Sequence, residues 1–444
     1  MMRLELPTGL FTYPDVELPP VWMVEQTNAA RGADLSEVAD EVLRAVRALW
    51  ETAGLPLGAS VAIGLGSRGI RNLAAIAATA VDAIRELGAV PFIVPAMGSH
   101  GGATADGQEA ILRDYGILPD VVRAPVHATM NVKELGRLEG TDSGEFAGHS
   151  VWCDENAARA DGILLINRIK PHTDFGGPVE SGIAKMLAIG LGKRHGAEAI
   201  HRHGAYGLRE LMPRVARHMA AALPVLGGIA ILENQAGETA EVHALRATDI
   251  GRAGEAALLE RARKMCPHLP FDKIDVLVVD EMGKNISGTG MDTHVIGRAL
   301  MPSIPEADWD GPLVRMIAVL SLSRDSHGNA SGLGLADVTT RALLESVDFN
   351  ATLTNTRTSG EGGILKSRIP VPLESADDCV RTAMGSCGRG DMRRVRLVRI
   401  RNTNCTRWME VSAALLDEAR ANSALRVSPE SRTLDLNRLL PQHA

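Results

Sequence analysis

A short apolar run that empties into a glycine-rich polar loop and then a helix recurs along this chain. That unit narrows the fold more than any other feature. Ser60-Val61-Ala62-Ile63 runs into Gly64-Leu65-Gly66-Ser67-Arg68-Gly69, ahead of an Ala-rich helical stretch from Ile70 to Leu87. Val90 to Pro95 ends in Met97-Gly98-Ser99-His100-Gly101-Gly102-Ala103-Thr104, ahead of a helix at 106–114. Gly162 to Ile166 is a third buried strand and opens onto residues 167–204. Strand, glycine turn and helix in succession build open α/β sheets. After the Pro-containing connector Cys266-Pro267-His268-Leu269-Pro270 the pattern restarts. Asp275 to Asp280 leads into Gly283 to His294, and Arg315 to Ser321 leads into Asp325 to Ser331. The expected fold is therefore α/β, with two doubly wound, Rossmann-like domains, 1–262 and 271–444, whose strand-end loops face one interdomain cleft.

The remaining elements follow from periodicity and punctuation. Residues 1–33 are Pro-rich and read as extended entry segments. A helix is expected from Leu35 to Ala53, with Asp34 as N-cap, Gly54 as stop and an apolar face of Val38, Val42, Val46 and Leu49. Further helices are expected around 208–222, 250–265, 335–347 and 407–420, and strands at 228–232 and 395–400. One six-residue pattern occurs twice: Ser99-His100-Gly101-Gly102-Ala103-Thr104 and Ser326-His327-Gly328-Asn329-Ala330-Ser331, each after a strand and ahead of an expected helix.

Composition excludes several classes of function. The chain has 444 residues, 45% hydrophobic, enough for more than one core. Lys and Arg number 47 against 54 Asp and Glu, a net charge of −7 with no long run of either sign. That argues against nucleic acid or an anionic membrane as the main partner. The five cysteines are scattered, with no close CxxC pair, so neither a disulfide framework nor a thiolate zinc site is expected. No apolar run reaches membrane-spanning length and the N-terminus does not read as a signal peptide, so the expected location is the cytoplasm. The oligomeric state is open.

Chemistry-bearing residues concentrate in 167–204. This stretch holds His172, His195, His201 and His203, with Arg168, Lys170, Lys185 and Lys193 among them. Imidazole serves as proton shuttle or metal ligand near neutral pH, and a lysine in partly apolar surroundings serves as nucleophile or covalent anchor. The plain alternative is a basic surface loop and a solvated helix face. His100, set between glycines just past a strand, is poorly placed for core packing. A site rich in His, Lys and Arg suits a carboxylate substrate and a nitrogen-ligated transition metal better than magnesium or calcium.

These residues resemble the lactate racemase family, which uses a nickel-pincer nucleotide, a nicotinic-acid-derived mononucleotide whose thioamide and thiocarboxylate arms hold nickel. Ser67-Arg68 stands where the family has Thr-Arg after its first strand, and Gly98-Ser99-His100 where it has Gly-Thr-His. Pro171-His172, followed by a segment ending in Ser181-Gly182-Ile183-Ala184-Lys185, resembles its Pro-His and cofactor-lysine segment, and His201 falls at its later metal-binding histidine. The likeness is best over about residues 55–205. Leu65 stands where the family has an aspartate before the Arg, the 172–185 segment is longer than the short family form, and the family's C-terminal Gln/Lys motif is not recognisable.

The resemblance implies a 2-hydroxy acid racemase or epimerase. Lys185 would carry the cofactor, with Gly66, Ser67 and Arg68 beside it, and cofactor-making enzymes would be partners. His201 would ligate nickel, with His203 as the neighbouring candidate. His100 and His172 would be the acid–base pair. Arg68 would hold the substrate carboxylate, with Lys284, His294 or Arg298 in place of the missing motif. Two other readings stay open: a metal-dependent hydrolase or lyase built on the same histidines, and a non-catalytic homologue that binds small carboxylates.

Overall fold

A computed structural model describes residues 13–27, 30–67, 69–139, 145–302, 309–358 and 361–441. The chain is α/β and divides into two compact units. One runs Ala30–Cys266; the other joins the N-terminal segment to Pro267 and everything after it. The break after Cys266 lies in the connector read from the sequence, but the N-terminal segment belongs with the C-terminal unit instead of residues 30–262. The reason is backbone pairing. Strand β1 (Val21–Gln26) runs antiparallel to a strand at Trp408–Ser412, with Val24 opposite Met409, and to one at Leu425–Val427, with Glu25 opposite Arg426.

In the 30–266 unit, β2 (Ser60–Leu65), β3 (Val90–Pro95), β6 (Gly162–Arg168), β7 (Val225–Glu233) and β8 (Thr239–Arg246) form one sheet in the order β3-β2-β6-β7-β8. All neighbours are parallel except β7 and β8. A separate antiparallel pair, β4 (Val132–Arg137) and β5 (Ser150–Asp154), is inserted between β3 and β6. The parallel strands β2, β3, β6 and β7 are apolar along most of their length because both faces are covered, whereas the antiparallel edge strand β8 carries Glu241, His243 and Arg246. Val61, Ile63, Leu65, Ile166 and Ile229 pack against the helices Leu35–Trp50 and Leu73–Glu86. On the other face a side chain at Gly228 would strike Ile183, at the start of the helix that carries Lys185. Val38, Val42, Val46 and Leu49, the expected apolar face, are all buried. Asp34 begins that helix, and its amide donates to Glu37 Oε2 at 2.8 Å.

The C-terminal unit holds an eight-stranded sheet. Its strands after β1 are β9 (Lys273–Met282), β10 (Leu313–Leu322), β11 (Val338–Thr340), β12 (Val371–Leu373), β13 (Leu397–Ile400), β14 (Trp408–Ser412) and β15 (Leu425–Val427). Their order is β12-β11-β10-β9-β13-β14-β1-β15, parallel from β12 to β13 and antiparallel beyond.

Two expected helices are strands here. The expected 335–347 helix holds β11 and then a short helix, Arg341–Glu345, because the β-branched run Val338-Thr339-Thr340 pairs with β10. The expected 407–420 helix starts as β14, where Met409 and Val411 enter one apolar core while Glu410 turns to the other face. The second Ser-His-Gly pattern leads into a single helical turn, Leu333–Leu335, and then β11.

On that other face lies Arg399 of β13, 2% exposed. It donates to Asp280 Oδ1 at 2.6 Å, to Glu410 Oε2 at 2.9 Å and to the Asp435 carbonyl at 2.8 Å, while the Leu440 amide donates to Asp280 Oδ2 at 2.8 Å. The guanidinium thus fastens residues 435–440 across the sheet. Burial, opposed by Arg399, pushes the Asp280 carboxyl from its usual 3.8 up to about 6. The folded state therefore holds this proton more tightly than the unfolded chain, so stability from this group falls as pH rises from about 4 to about 6 and is level above that. Arg399→Met leaves Asp280 buried without its cation, while Glu410 keeps Arg432 at 2.6 Å, and should cost about 3–5 kcal/mol at pH 7. The loss, read from urea unfolding midpoints, should shrink toward pH 5 as Asp280 takes up its proton. A pH-independent loss would show that Asp280 does not carry the charge assigned to it.

Candidate functional site

The chain order of the central sheet reverses beside β2. β2 leads to β3 on one side, while β6 lies on its other side. Ligands in open α/β sheets favour the carboxyl ends of strands at such a point. Gly66 follows β2, Gly98 and His100 follow β3, and Asn167 and Arg168 close β6.

The helical segment bearing Lys185 packs onto these strand ends. Asn167 Nδ2 donates to the Gly182 carbonyl at 2.8 Å. A side chain at Gly66 would come within 3.0 Å of the Met186 methyl, next to Lys185. The Gly98 amide donates to the Gly190 carbonyl at 3.0 Å. Gly98 has φ +59°, and a Cβ there would lie 3.2 Å from the Ile189 carbonyl oxygen, so glycine suits both the backbone and the close approach. Ile183–Lys185 is α-helical, Met186–Gly190 is a π-helical turn, and Lys193–His201 is α-helical again. Such π turns inside helices gather at functional sites.

Two buried carboxylates organise this region, and neither was singled out by motif. Glu255, 1% exposed, accepts from the Ala184 amide at 2.9 Å and the Gly251 amide at 2.9 Å, and the Ile183 amide also points at it. It caps the start of the Lys185 helix. Burial pushes its carboxyl up, against the pull of those amides. A side chain at Gly182 would meet its Oε1 at 2.5 Å, which is why the residue before Ile183 has none. Glu180, also 1% exposed, accepts from the His172 amide at 2.5 Å and the Gly177 amide at 2.9 Å, and it pairs with Arg263. The loop of His172 is folded around that carboxylate.

His172, Asp174, Phe175, Lys185 and His201 share one neighbourhood. The His172 ring lies 4.6 Å from the buried Phe175 ring, and the Asp174 amide donates to His172 Nδ1 at 3.1 Å. Lys185 Nζ stands 6.0 Å from the Phe175 centroid, and Lys185 is half-buried. Surrounding protein, then the nearby Lys185 charge, push the His201 imidazole down to about 4, with Asp174 opposing. His201 is itself exposed, so part of its hydration survives. The ring is neutral at pH 7, with a lone pair free for a metal.

His203 faces elsewhere. Its ring lies 5.4 Å from Phe146 and 6.2 Å from His149. Residues two apart on a helix point about 200° apart, and these two histidines serve different surroundings. His195 sits 6.1 Å from Trp152. His100 is exposed, and its Nδ1 shares a short hydrogen bond with Ser67 Oγ. Arg68 lies outside the described residues. Arg168, at the end of β6, pairs with Glu233 of β7.

The candidates of the C-terminal unit are each held locally. Lys284 Nζ donates to the Gly288 carbonyl at 2.5 Å. His294 stacks on Trp309 at 4.6 Å, and its Nδ1 lies 3.2 Å from the Asp310 carbonyl. Arg298 donates to Asp337 at 2.9 Å and to the Leu335 carbonyl at 2.9 Å, a structural bridge.

Among the described residues no group of three or more His, Cys, Asp or Glu side chains is arranged to hold a metal, all five cysteines are unpaired, and no helix is long and apolar enough to cross a membrane. A depression of about 380 Å³ is lined by Arg389, Arg393, Arg394 and Arg396, and one of about 490 Å³ includes Asp120 and Arg123; neither includes a residue named above for chemistry. Comparison with protein-family models, curated proteins and solved structures finds no match to this chain.

Glu255→Ala should leave the amides of Ile183 and Ala184 without their acceptor. We expect a loss of about 1–3 kcal/mol in urea unfolding, together with faster hydrogen exchange at those two amides. Unchanged exchange there would show that Glu255 does not cap this helix.

Proposed function

We propose that the chain is a racemase or epimerase of a 2-hydroxy carboxylic acid that works with a lysine-linked nickel-pincer nucleotide. The observation that carries the reading is the gathering of His172 and Lys185 around the Phe175 ring, at 4.6 Å and 6.0 Å from its centroid, with His201 within reach of the Lys185 charge. These residues fit such a group. A half-buried lysine beside a neutral imidazole offers one amine for a covalent link and one nitrogen ligand. One imidazole is what a metal already held by a cofactor's own donors asks of the protein, and imidazole nitrogen suits nickel. When bound, the group would supply a pyridinium ring that takes up and returns a hydride.

The chain's own residues would do the rest. Lys185 Nζ would hold the group through a thioamide link, and Glu255 holds Lys185 by capping its helix. His201 would offer Nδ1 or Nε2 to the metal. His172 and His100 exchange the substrate hydroxyl proton, one for each enantiomer, and Ser67 orients His100 through Nδ1. Glu180 sets the His172 backbone. Gly66 leaves room beside Met186. Arg68 stays with this reading as the carboxylate partner. The candidates Lys284, His294 and Arg298 are each engaged, by the Gly288 carbonyl, Trp309 and Asp337 in turn. The finer description, two doubly wound Rossmann-like domains, and the cytoplasmic location rest on the sequence reading.

Chain produced together with the cofactor-making enzymes should carry a covalent mass on Lys185 and about one nickel per chain, as the metal and peptide maps would read. His201→Ala should lose the nickel and keep the Lys185 adduct, while His203→Ala keeps both. Fully active enzyme with an unmodified Lys185 would sink the reading.

Substrate deuterated at the α-carbon should give product that keeps its deuterium in ordinary water, because the histidines would handle only the hydroxyl proton. Replacing His100 or His172 by Ala should slow both directions by roughly 10²-fold or more. Complete washout of deuterium in the first turnovers would mean ordinary α-proton abstraction, and the cofactor assignment would fall.

A further inference from the structure

Lys193 is 0% exposed, and lysine is rarely found so deep. It lies between Lys185 and His201 in sequence, with φ +51° where the chain turns from Gly192 into the next helix. Its ammonium donates to the Pro95 carbonyl at the end of β3 at 2.6 Å and to Gln108 Oε1 at 2.9 Å, and lies 3.0 Å from Asp154 Oδ2. The Asp154 oxygen is within contact distance but off the hydrogen-bond direction. Asp154 closes β5, its amide donates to the Leu191 carbonyl at 2.6 Å, and its Oδ1 accepts from the Ala157 amide at 2.9 Å. Burial works against charge on both partners of this pair and their attraction works for it.

A methionine would fill this volume without the desolvation of a buried ion pair, which costs several kcal/mol per ion. The charge brings direction instead. One nitrogen donates to β3 and to the helix Ala105–Asp114 and ion-pairs with β5. Gln108, also 0% exposed, relays one of them: its Nε2 donates to the Gly98 carbonyl at 2.9 Å and to the His100 carbonyl at 3.3 Å. The chain of contacts runs Lys193, Gln108, then the backbone on both sides of Ser99. It starts between the two residues proposed to hold the cofactor and its metal, and it ends at the residue proposed to move the hydroxyl proton.

We propose that Lys193 and Gln108 are positioning residues for His100, tying the loop that carries it to the helical segment of Lys185 and His201. This rests on the function proposed above for His100. The two residues touch neither substrate nor cofactor. They hold the His100 backbone so that Nδ1 meets Ser67 Oγ and the other ring nitrogen is presented in one direction. A misplacement of an ångström at such a group is enough to cost rate.

The test uses the full chain loaded with cofactor, in wild-type form and as Gln108→Leu and Lys193→Met. Gln108→Leu is the milder variant, because it removes the relay and keeps the Lys193–Asp154 pair. With both variants folded at the assay temperature, kcat should fall roughly tenfold to a hundredfold while KM stays within about twofold, and the Lys185 adduct and nickel content should not change. In histidine-labelled protein without cofactor, followed by NMR, the midpoint of the His100 titration should move by roughly half a pH unit or more, because the hydrogen bond that sets it is disturbed. A His100 titration unchanged in both folded variants would overturn the proposal. A moved His100 titration in a protein that never racemises a hydroxy acid would leave the positioning intact and remove the function it was thought to serve.

Discussion

One helix, Ala253–Met265, carries the contacts on which the proposed chemistry depends. Its Glu255 caps the segment of Lys185, and its Arg263 meets Glu180, the carboxylate that gathers the His172 loop. Both carboxylates are buried, and a buried carboxylate is stable only where several donors converge on it. Here the donors are backbone amides of the segments that need to be placed. The desolvation of each carboxylate is therefore offset by the same bonds that fix a loop, and the loop cannot drift without stranding a charge. A site made of flexible residues such as Lys and His gains its precision from this rigid support.

The same logic explains why the site gathers at the carboxyl edge of the central sheet. Parallel strands that are covered on both faces leave their loops as the only wet backbone, and loops can hold polar side chains that the core cannot. At Gly190 the backbone comes so near Ala96 that a Cβ would lie 2.6 Å from its carbonyl oxygen, and Gly98 lies close to Ile189, so the Lys185 segment is pressed onto the strand ends. The π-helical turn at Met186–Gly190 joins Lys185 to the Lys193–His201 helix within a short stretch of chain.

How much of this was legible in the sequence depended on where the partner of each residue lies. The Leu35–Trp50 helix and the strands β2, β3 and β6 are written in local periodicity, and they occur where it places them. The gathering of His172, Lys185 and His201 also follows chain order, since all three come from one stretch after one strand. Trp408 to Ser412 misled because Met-Glu-Val suits helix or strand, and only its pairing with β1 and β13 decides between them. Val338 to Thr340 is too short to show a period. Glu180, Glu255, Gln108 and Lys193 carry no motif at all. A charged residue becomes a buried anchor through contacts with residues distant in sequence, and no window of local pattern contains them. Buried Arg399 is hidden for the same reason.

The N-terminal strand gives the fold an order in time. β1 is made before the whole 30–266 unit, but the strands it pairs with, β14 and β15, come after it. At about 5–20 residues per second, a ribosome needs roughly 20–80 seconds to cover that interval. The whole 30–266 unit, with His100, His172, Lys185 and His201, emerges meanwhile and can close its sheet with local partners. Val21 and Val24, both 0% exposed in the finished sheet, wait unpaired until then. Closure of that eight-stranded sheet is thus a slow, non-local step, and a nascent chain halted before Trp408 would hold a finished 30–266 unit and a β1 strand with neither of its partners.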